Sequence, residues 1–173
     1  MRVYYHSFST DIGDVMVAFS NKGIVNLSFL TNEKMEYPRY LSKFYDDIIE
    51  HNGDETNYSE QIKLFLTGRL KKIDVSLDLH GTEFQMSVWN ELLKIPYGEV
   101  RSYKDIAEAI GRDKAYRAVG MANNRNPIPI IIPCHRVVGN NGDLVGYGGG
   151  IDIKIKLLEL EGIKIFQNKI VRA

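Results

Sequence analysis

Cys134, His135 and Arg136 stand side by side behind Pro133, and no other residues of this chain are better suited to nucleophilic chemistry. An ordinary thiol is only roughly a few per cent ionised at neutral pH, and the thiolate is the reactive form. A neighbouring imidazole and a cation raise that fraction. Adjacent side chains diverge in a strand and sit about 100° apart around a helix, so His135 need not touch the sulfur, and a bridging water is the natural relay. An imidazole acting as a base also needs an acceptor to orient it. The carboxylates near the end of the last periodic stretch, Glu161 and Glu159, are the candidates. The bland reading of a single cysteine is a small buried hydrophobe.

The elements around Cys134 must hold it rigidly. The run Asn126-Pro127-Ile128-Pro129-Ile130-Ile131-Ile132-Pro133 leads straight into it, and prolines at this density forbid both a helix and a central strand. Upstream, Thr82 to Gln85 reads as a capping box ahead of the helical stripe Phe84, Val88, Trp89, Leu92 and Leu93. Ser102 to Asp105 is a second capping box, opening a short helix that Gly111 ends. A third helix follows over about 114–123, and the pair forms a helix-turn-helix pattern. Downstream come Val137 and Val138, a Gly-Asn-Asn-Gly turn, the glycine-rich run 146–150 and a last helix over about 152–161. The first 80 residues differ in texture. Runs at 3–8, 15–19 and 24–30 read as strands, 39–51 as a helix with Leu41, Phe44, Tyr45, Ile48 and Ile49 on one face, and 58–67 as a second helix closed by Gly68. The alternation of Ile73, Val75, Leu77 and Leu79 with polar residues predicts a half-buried strand. Two domains are therefore expected, residues 1–80 and 81–173.

Composition bounds the function. At 173 residues with 44% hydrophobic content, the chain can bury a core without staples, and disorder is excluded. Its longest clearly apolar stretch, near 128–133, is far short of the ~20 residues a bilayer requires. The start, MRVYYHSFST, lacks a signal-peptide core. One cysteine rules out an intrachain disulfide and thiolate-rich zinc sites, which fits a reducing compartment. Net charge is zero, yet residues 101–136 carry seven Lys and Arg against three Asp and Glu. Positive charge is thus concentrated where it can meet an anion.

Pro133-Cys134-His135-Arg136-Val137 resembles the active-site signature of the O6-alkylguanine-DNA alkyltransferases, the suicide DNA-repair methyltransferases. Tyr116-Arg117-Ala118-Val119-Gly120 resembles the family's recognition helix and Asn126-Pro127 its hinge. Gly146-Tyr147-Gly148-Gly149-Gly150 resembles its substrate loop, and Leu158-Glu159-Leu160-Glu161-Gly162 its closing helix. The resemblance spans about 84–162. It implies an α+β protein, with a small ribonuclease H-like α/β domain ahead of a mostly helical, winged-helix-like domain that carries the active site. It implies repair of O6-alkylguanine, and less efficiently O4-alkylthymine, in double-stranded DNA entered from the minor groove. The nucleotide is flipped out and its alkyl group passes irreversibly to Cys134.

The resemblance also assigns roles. Cys134, His135, Glu161 and Tyr103 form the catalytic set, with Tyr103 donating to guanine N3. Asn126, Val137, Tyr147 and Gly148 contact the substrate or its segment, with the carbonyls of Cys134 and Val137 accepting from the exocyclic amine. Ala115, Tyr116, Arg117, Ala118, Gly120 and Arg136 face DNA. The small residues, Ala122 among them, allow close approach, and Arg117 fills the vacated stack. Tyr116 and Gly148 depart from members with a small residue and a hydroxyl residue at those places. No cofactor or metal is implied, no obligate protein partner, and a monomer in the cytoplasm, or in the nucleus of a eukaryote. Three other readings stand beside this one. A non-catalytic lesion-binding relative would carry tryptophan in place of Cys134, a cysteine hydrolase would want an oxyanion hole, and a transcriptional regulator would leave Cys134, His135 and Glu161 idle.

Overall fold

The computed structural model describes residues 1–29, 36–53 and 56–171. The chain divides into two compact units, residues 1–79 and 80–173. In the first, β1 (Arg2–Thr10), β2 (Gly13–Ser20) and β3 (Gly23–Phe29) form an antiparallel meander. A short helix α1 (Tyr37–Leu41) leads to β4 (Asp47–Glu50), which pairs parallel to β1, giving the sheet order β3-β2-β1-β4. Helix α2 (Tyr58–Leu66) follows. Val3, Tyr5, Met16, Ala18 and Val25 form a core with Tyr37 and Leu41 of α1, and Tyr45 and Ile48 pack against it.

Two expectations for this unit are corrected. The stretch 39–51 is not one helix, because α1 ends at Leu41 and 47–50 is a strand. Leu41, Tyr45 and Ile48 do reach the core, but Phe44 is 63% exposed. The apolar spacing fits both forms, and a long-range partner, β1, decides between them. The stretch 73–79 keeps its alternating burial only as far as Leu77 and forms no strand, making a single parallel bridge from Leu77 to Ile24. Gly23 permits this approach, since a Cβ there would collide with the carbonyl of Ser76. Asp78, on the face expected to be polar, is instead buried and accepts a hydrogen bond from the Ser20 hydroxyl at 2.5 Å.

The second unit begins with α3 (Glu83–Leu92), followed by β5 (Arg101–Ser102), α4 (Tyr103–Ala109) and α5 (Tyr116–Asn124). Both capping boxes form, Thr82 with Gln85 and Ser102 with Asp105. Val88, Trp89 and Leu92 of α3, Ile106 and Ala107 of α4, and Val119 and Ala122 of α5 are buried, whereas Leu93, expected on the stripe, is exposed. After the proline-rich segment, Cys134–Arg136 is a single 3-10 turn that runs into β6 (Val137–Val138). β6 lies parallel to β5, pairing Arg101 with Val137 and Ser102 with Val138, so the entry to the helix-turn-helix is stitched to the turn bearing Cys134. Helix α6 (Ile151–Leu160) and the hairpin β7 (Ile165–Phe166) and β8 (Lys169–Ile170) complete the unit, which is α+β in class. Val138, Leu144 and Leu158 are the buried centre of this end. No helix among the described residues is long and apolar enough to cross a membrane.

Candidate active site

The proline-rich segment folds as consecutive tight turns. Ile132 donates its amide to the Ile128 carbonyl at 3.0 Å and Cys134 to the Ile132 carbonyl at 2.7 Å, with Ile128, Ile130 and Ile132 all buried. Ile130 sits at φ +75°, a left-handed conformation that a β-branched residue enters only when its surroundings force it. Asn126, just past α5, grips the segment from both ends of its amide. Its Nδ2 donates to the Ile132 carbonyl at 2.8 Å, and its Oδ1 accepts from the Ile128 amide at 2.9 Å.

Next to Cys134, the chain buries a charged knot. Glu161 closes α6, and its carboxylate accepts from the His135 ring Nε2 at 2.7 Å and from Arg136 Nε at 2.9 Å and Nη2 at 2.9 Å. The amide of Gly98 adds a bond at 3.0 Å, and Arg136 Nη1 donates to the Ile95 carbonyl at 2.6 Å. Burial alone would raise the Glu161 pKa, but hydrogen bonds from His135 and Arg136 outweigh it and hold the carboxyl at about 2. An ionised Glu161 fixes the proton of His135 on Nε2, leaving the Nδ1 lone pair free, and Nδ1 is buried without a protein partner. Burial also lowers the His135 pKa despite Glu161, so the ring is a neutral base at neutral pH. Glu159, the other candidate, is exposed.

Cys134 itself is 4% exposed. Burial pushes its thiol up, while Asn126, the charge of Lys154 and the Tyr147 hydroxyl each pull it down. The Tyr147 hydroxyl is buried with no partner at hydrogen-bonding geometry, and burial and the nearby sulfur keep it neutral. Tyr103 opens α4, and its hydroxyl donates to the Val145 carbonyl at 3.1 Å; burial first and Cys134 second raise it to about 12. Lys154 and Asn123 were not singled out from the sequence. Lys154, fully buried on α6, donates to the carbonyls of Val137 at 2.6 Å and Val145 at 3.2 Å, and burial lowers it to about 8 although Cys134 opposes the shift. Its signal was present: Ile151, Lys154, Ile155 and Leu158 share one helical stripe, so the lysine occupies an apolar position. Asn123 lies likewise among Val119 and Ala122, and its Nδ2 donates to the Cys134 carbonyl at 3.4 Å.

The expected DNA-facing residues divide. Tyr116, Arg117 and Ala118 are exposed on α5, and Ala115 caps it half-buried. The placements of Arg136 and Ala122 are corrected, and Gly120 is half-buried. Arg136 is 7% exposed and committed to Glu161 and Ile95, because the buried carboxylate recruits the nearest guanidinium, so it is not on a DNA-facing surface. Gly120 turns toward the Tyr103 ring, where an added Cβ would make ordinary contact at 3.8 Å. Ala122 is buried, and its carbonyl accepts from the Trp89 indole at 2.9 Å. Gly148 lies against the Asn124 carbonyl, and Val137 is buried with its carbonyl toward Lys154. Among the described residues no cluster of His, Cys, Asp and Glu could hold a metal ion.

Known proteins share this arrangement. Residues 83–163 match the family model described as 6-O-methylguanine DNA methyltransferase, DNA binding domain. A methylated-DNA–protein-cysteine methyltransferase of Methanosarcina acetivorans is 48% identical over 161 residues, covering 92% of this chain and 99% of the relative. One from Mycobacterium tuberculosis is 44% identical, covering 92% of both chains. The structure of Mycobacterium tuberculosis OGT in complex with DNA aligns with a TM-score of 0.81 at 43% identity, over 92% of this chain and 93% of that one. Likeness that runs through both units, joined to a sole thiol held beside a His135–Glu161 pair, places this chain in the methylated-DNA–protein-cysteine methyltransferase family.

Proposed function

We propose that this protein repairs alkylated DNA by moving the alkyl group of O6-alkylguanine in double-stranded DNA, and less efficiently of O4-alkylthymine, onto Cys134. The observation that carries the reading is the environment of the only thiol. Cys134 is fixed at a proline-braced turn, next to an imidazole whose Nδ1 is free and whose Nε2 is held by a buried carboxylate. The second unit carries both DNA binding and chemistry, with α5 entering the minor groove and Arg117 filling the stack vacated by the flipped nucleotide. The protein acts as a monomer in the compartment that holds the genome, the cytoplasm or a eukaryotic nucleus.

In the pocket, His135 Nδ1 takes the thiol proton through a bridging water, and Lys154 and Asn126 favour the thiolate. The sulfur lone pair forms a bond to the alkyl carbon, and the carbon–O6 bond breaks with its electron pair passing into the guanine ring. Tyr103, whose raised pKa keeps it a neutral donor, delivers a proton to N3, and the thiol proton replaces it by way of His135. The sum exchanges a thiol hydrogen for an alkyl group and leaves guanine neutral. The exocyclic amine meets the carbonyls of Cys134 and Val137, and the backbone of Tyr147 and Gly148 approaches O6. A thioether has no good leaving group and nothing in the site regenerates the thiol, so each molecule acts once.

Incubation with an O6-methylguanine duplex tests this directly. Intact mass should rise by one methyl on the peptide containing Cys134, with no second turnover, and Cys134→Ala should bind the duplex without transfer. Methyl appearing elsewhere, or on the alanine variant, would sink the assignment. Arg117→Ala should slow repair of the duplex more than reaction with free O6-alkylguanine base, since only the duplex requires flipping.

A further inference from the structure

Asn123 is 2% exposed on the inner face of α5, the helix that carries Arg117 on its outer face. Its polar contacts are poor. The Nδ2 bond to the Cys134 carbonyl spans 3.4 Å, that carbonyl already accepts the Val137 amide, and Oδ1 is buried with no partner. Three residues on, Asn126 bonds through both ends at 2.8 and 2.9 Å. A buried amide with one long bond and an orphaned acceptor is a poor choice for stability, because an apolar side chain of the same shape leaves nothing unsatisfied. Asparagine also favours a helix interior less than leucine does. The residue is aimed at one atom of the nucleophile's own backbone.

We propose that Asn123 is a positioning residue for alkyl transfer. Its amide steadies the Cys134 peptide unit from the side of α5, and thereby sets the direction of the sulfur and of the carbonyl that meets the base. This inference rests on Cys134 being the alkyl acceptor. Asn123 acts through Cys134, so its effect appears with free base as well as with duplex, unlike that of Arg117.

Two variants test it. Asn123→Leu should melt at the same temperature as wild type or higher, bind DNA within about twofold, and transfer methyl at least tenfold more slowly from both duplex and free base. In Asn123→Asp, a protonated carboxyl can still donate to the Cys134 carbonyl, whereas a carboxylate repels it, and burial raises the pKa of such a group. The titratable groups of the site, Tyr103, Cys134, His135, Tyr147, Lys154 and Glu161, are common to both proteins. The ratio of the aspartate variant's rate to the wild-type rate therefore reports the carboxyl at 123, directly or through their response to its charge, and it should fall as pH rises. Unchanged transfer by the leucine variant, a lowered melting temperature or failure to fold, or a flat rate ratio would each overturn the proposal. Absence of methyl transfer by the wild-type protein would instead refute the reading of Cys134.

Discussion

The two units bury polar groups for different ends. In the first, Ser20 meets Asp78 at 2.5 Å and Tyr37 meets Asn26 at 2.7 Å, each bond joining two different elements around the sheet. In the second, Asn123, His135, Arg136, Lys154 and Glu161 are all buried, and every one of them either belongs to the Cys134–Arg136 turn and the strand after it or bonds to them. Desolvating that many ionisable groups costs more than their mutual attraction easily returns, so a buried ion pair is weak support for stability. The first unit hides polar atoms to fasten its chain, and the second hides them to keep a thiol, a base and their partners in register.

The largest way to break that comparison is Glu161→Ala. It strips Arg136 of its carboxylate, leaving the Ile95 carbonyl as its remaining hydrogen-bond acceptor, and frees the His135 ring. Removing one partner of a buried pair typically costs about 3–5 kcal/mol. Loss of the oriented base should slow transfer by about 10²-fold or more. Trp89 is the only tryptophan and is buried in the second unit, so its fluorescence during urea unfolding reports on that unit. A cost below about 1 kcal/mol would place the knot among surface-like pairs.

Acid should reveal the same asymmetry without mutation. Glu161 is held at about 2, below its ordinary 4.5. A depressed carboxylate contributes stability that is complete above its unfolded pKa and is lost as pH falls through the folded one. The second unit should therefore weaken progressively below about pH 4.5 and toward pH 2. Urea midpoints followed by Trp89 across that range should fall for wild type and stay flatter for Glu161→Gln. Parallel curves would show that another group governs the acid response.

Lys154 should give the same slope at the alkaline end, through relief of a cost rather than loss of a gain. Its pKa is lowered from 10.5 to about 8, so the folded protein sheds this proton before the unfolded chain does. Stability should thus rise with pH between about 8 and 10.5, as the burial cost of the charge is relieved. Lys154→Met removes both the cost and the rise, along with bonds to the Val137 and Val145 carbonyls. It also takes a positive charge from the sulfur's surroundings, and a nearby opposite charge shifts a pKa by about 1–3 units, so transfer at neutral pH should slow about tenfold or more. Transfer at the wild-type rate would mean that the lysine only props up the two carbonyls.

The contrast also explains which features could be read in advance. The capping boxes at Thr82 and Ser102, the proline segment and the pairing of His135 with Glu161 rest on local chemistry or on few possible partners, and these were legible. The strand at 47–50 and the single bridge at Leu77 depend on pairing with β1 and β3, which no local pattern encodes. The family resemblance sets Arg136 among the DNA-facing residues, and nothing local contradicts that. Only the folded chain brings a buried carboxylate, 25 residues away in sequence, within 2.9 Å. Lys154 and Asn123 occupy apolar positions of their helices, and the carbonyls that they serve come from the Cys134 turn and its neighbours, which no pattern local to α5 or α6 encodes.

The smallest expected effect lies in the first unit, with Ser20→Ala. The Ser20 hydroxyl donates to buried Asp78 and accepts from the Lys22 amide at 3.1 Å, fastening the end of β2 to the segment that bridges Ile24. Its loss removes one hydrogen bond to a charged group, worth about 1.5–3 kcal/mol when intact. The cost should sit at the lower end of that span, since Asp78 makes a further interaction. Alkyl transfer from a methylated duplex should stay at the wild-type rate, because no atom of the Cys134 site is touched. The measurement pairs amide hydrogen exchange, resolved by unit, with the transfer rate. Faster exchange confined to residues 1–79 with an unchanged rate sharpens the division between fastening and positioning. A transfer rate that falls with the first unit's stability would erase it, because polar burial around the sheet would then also be setting the chemistry.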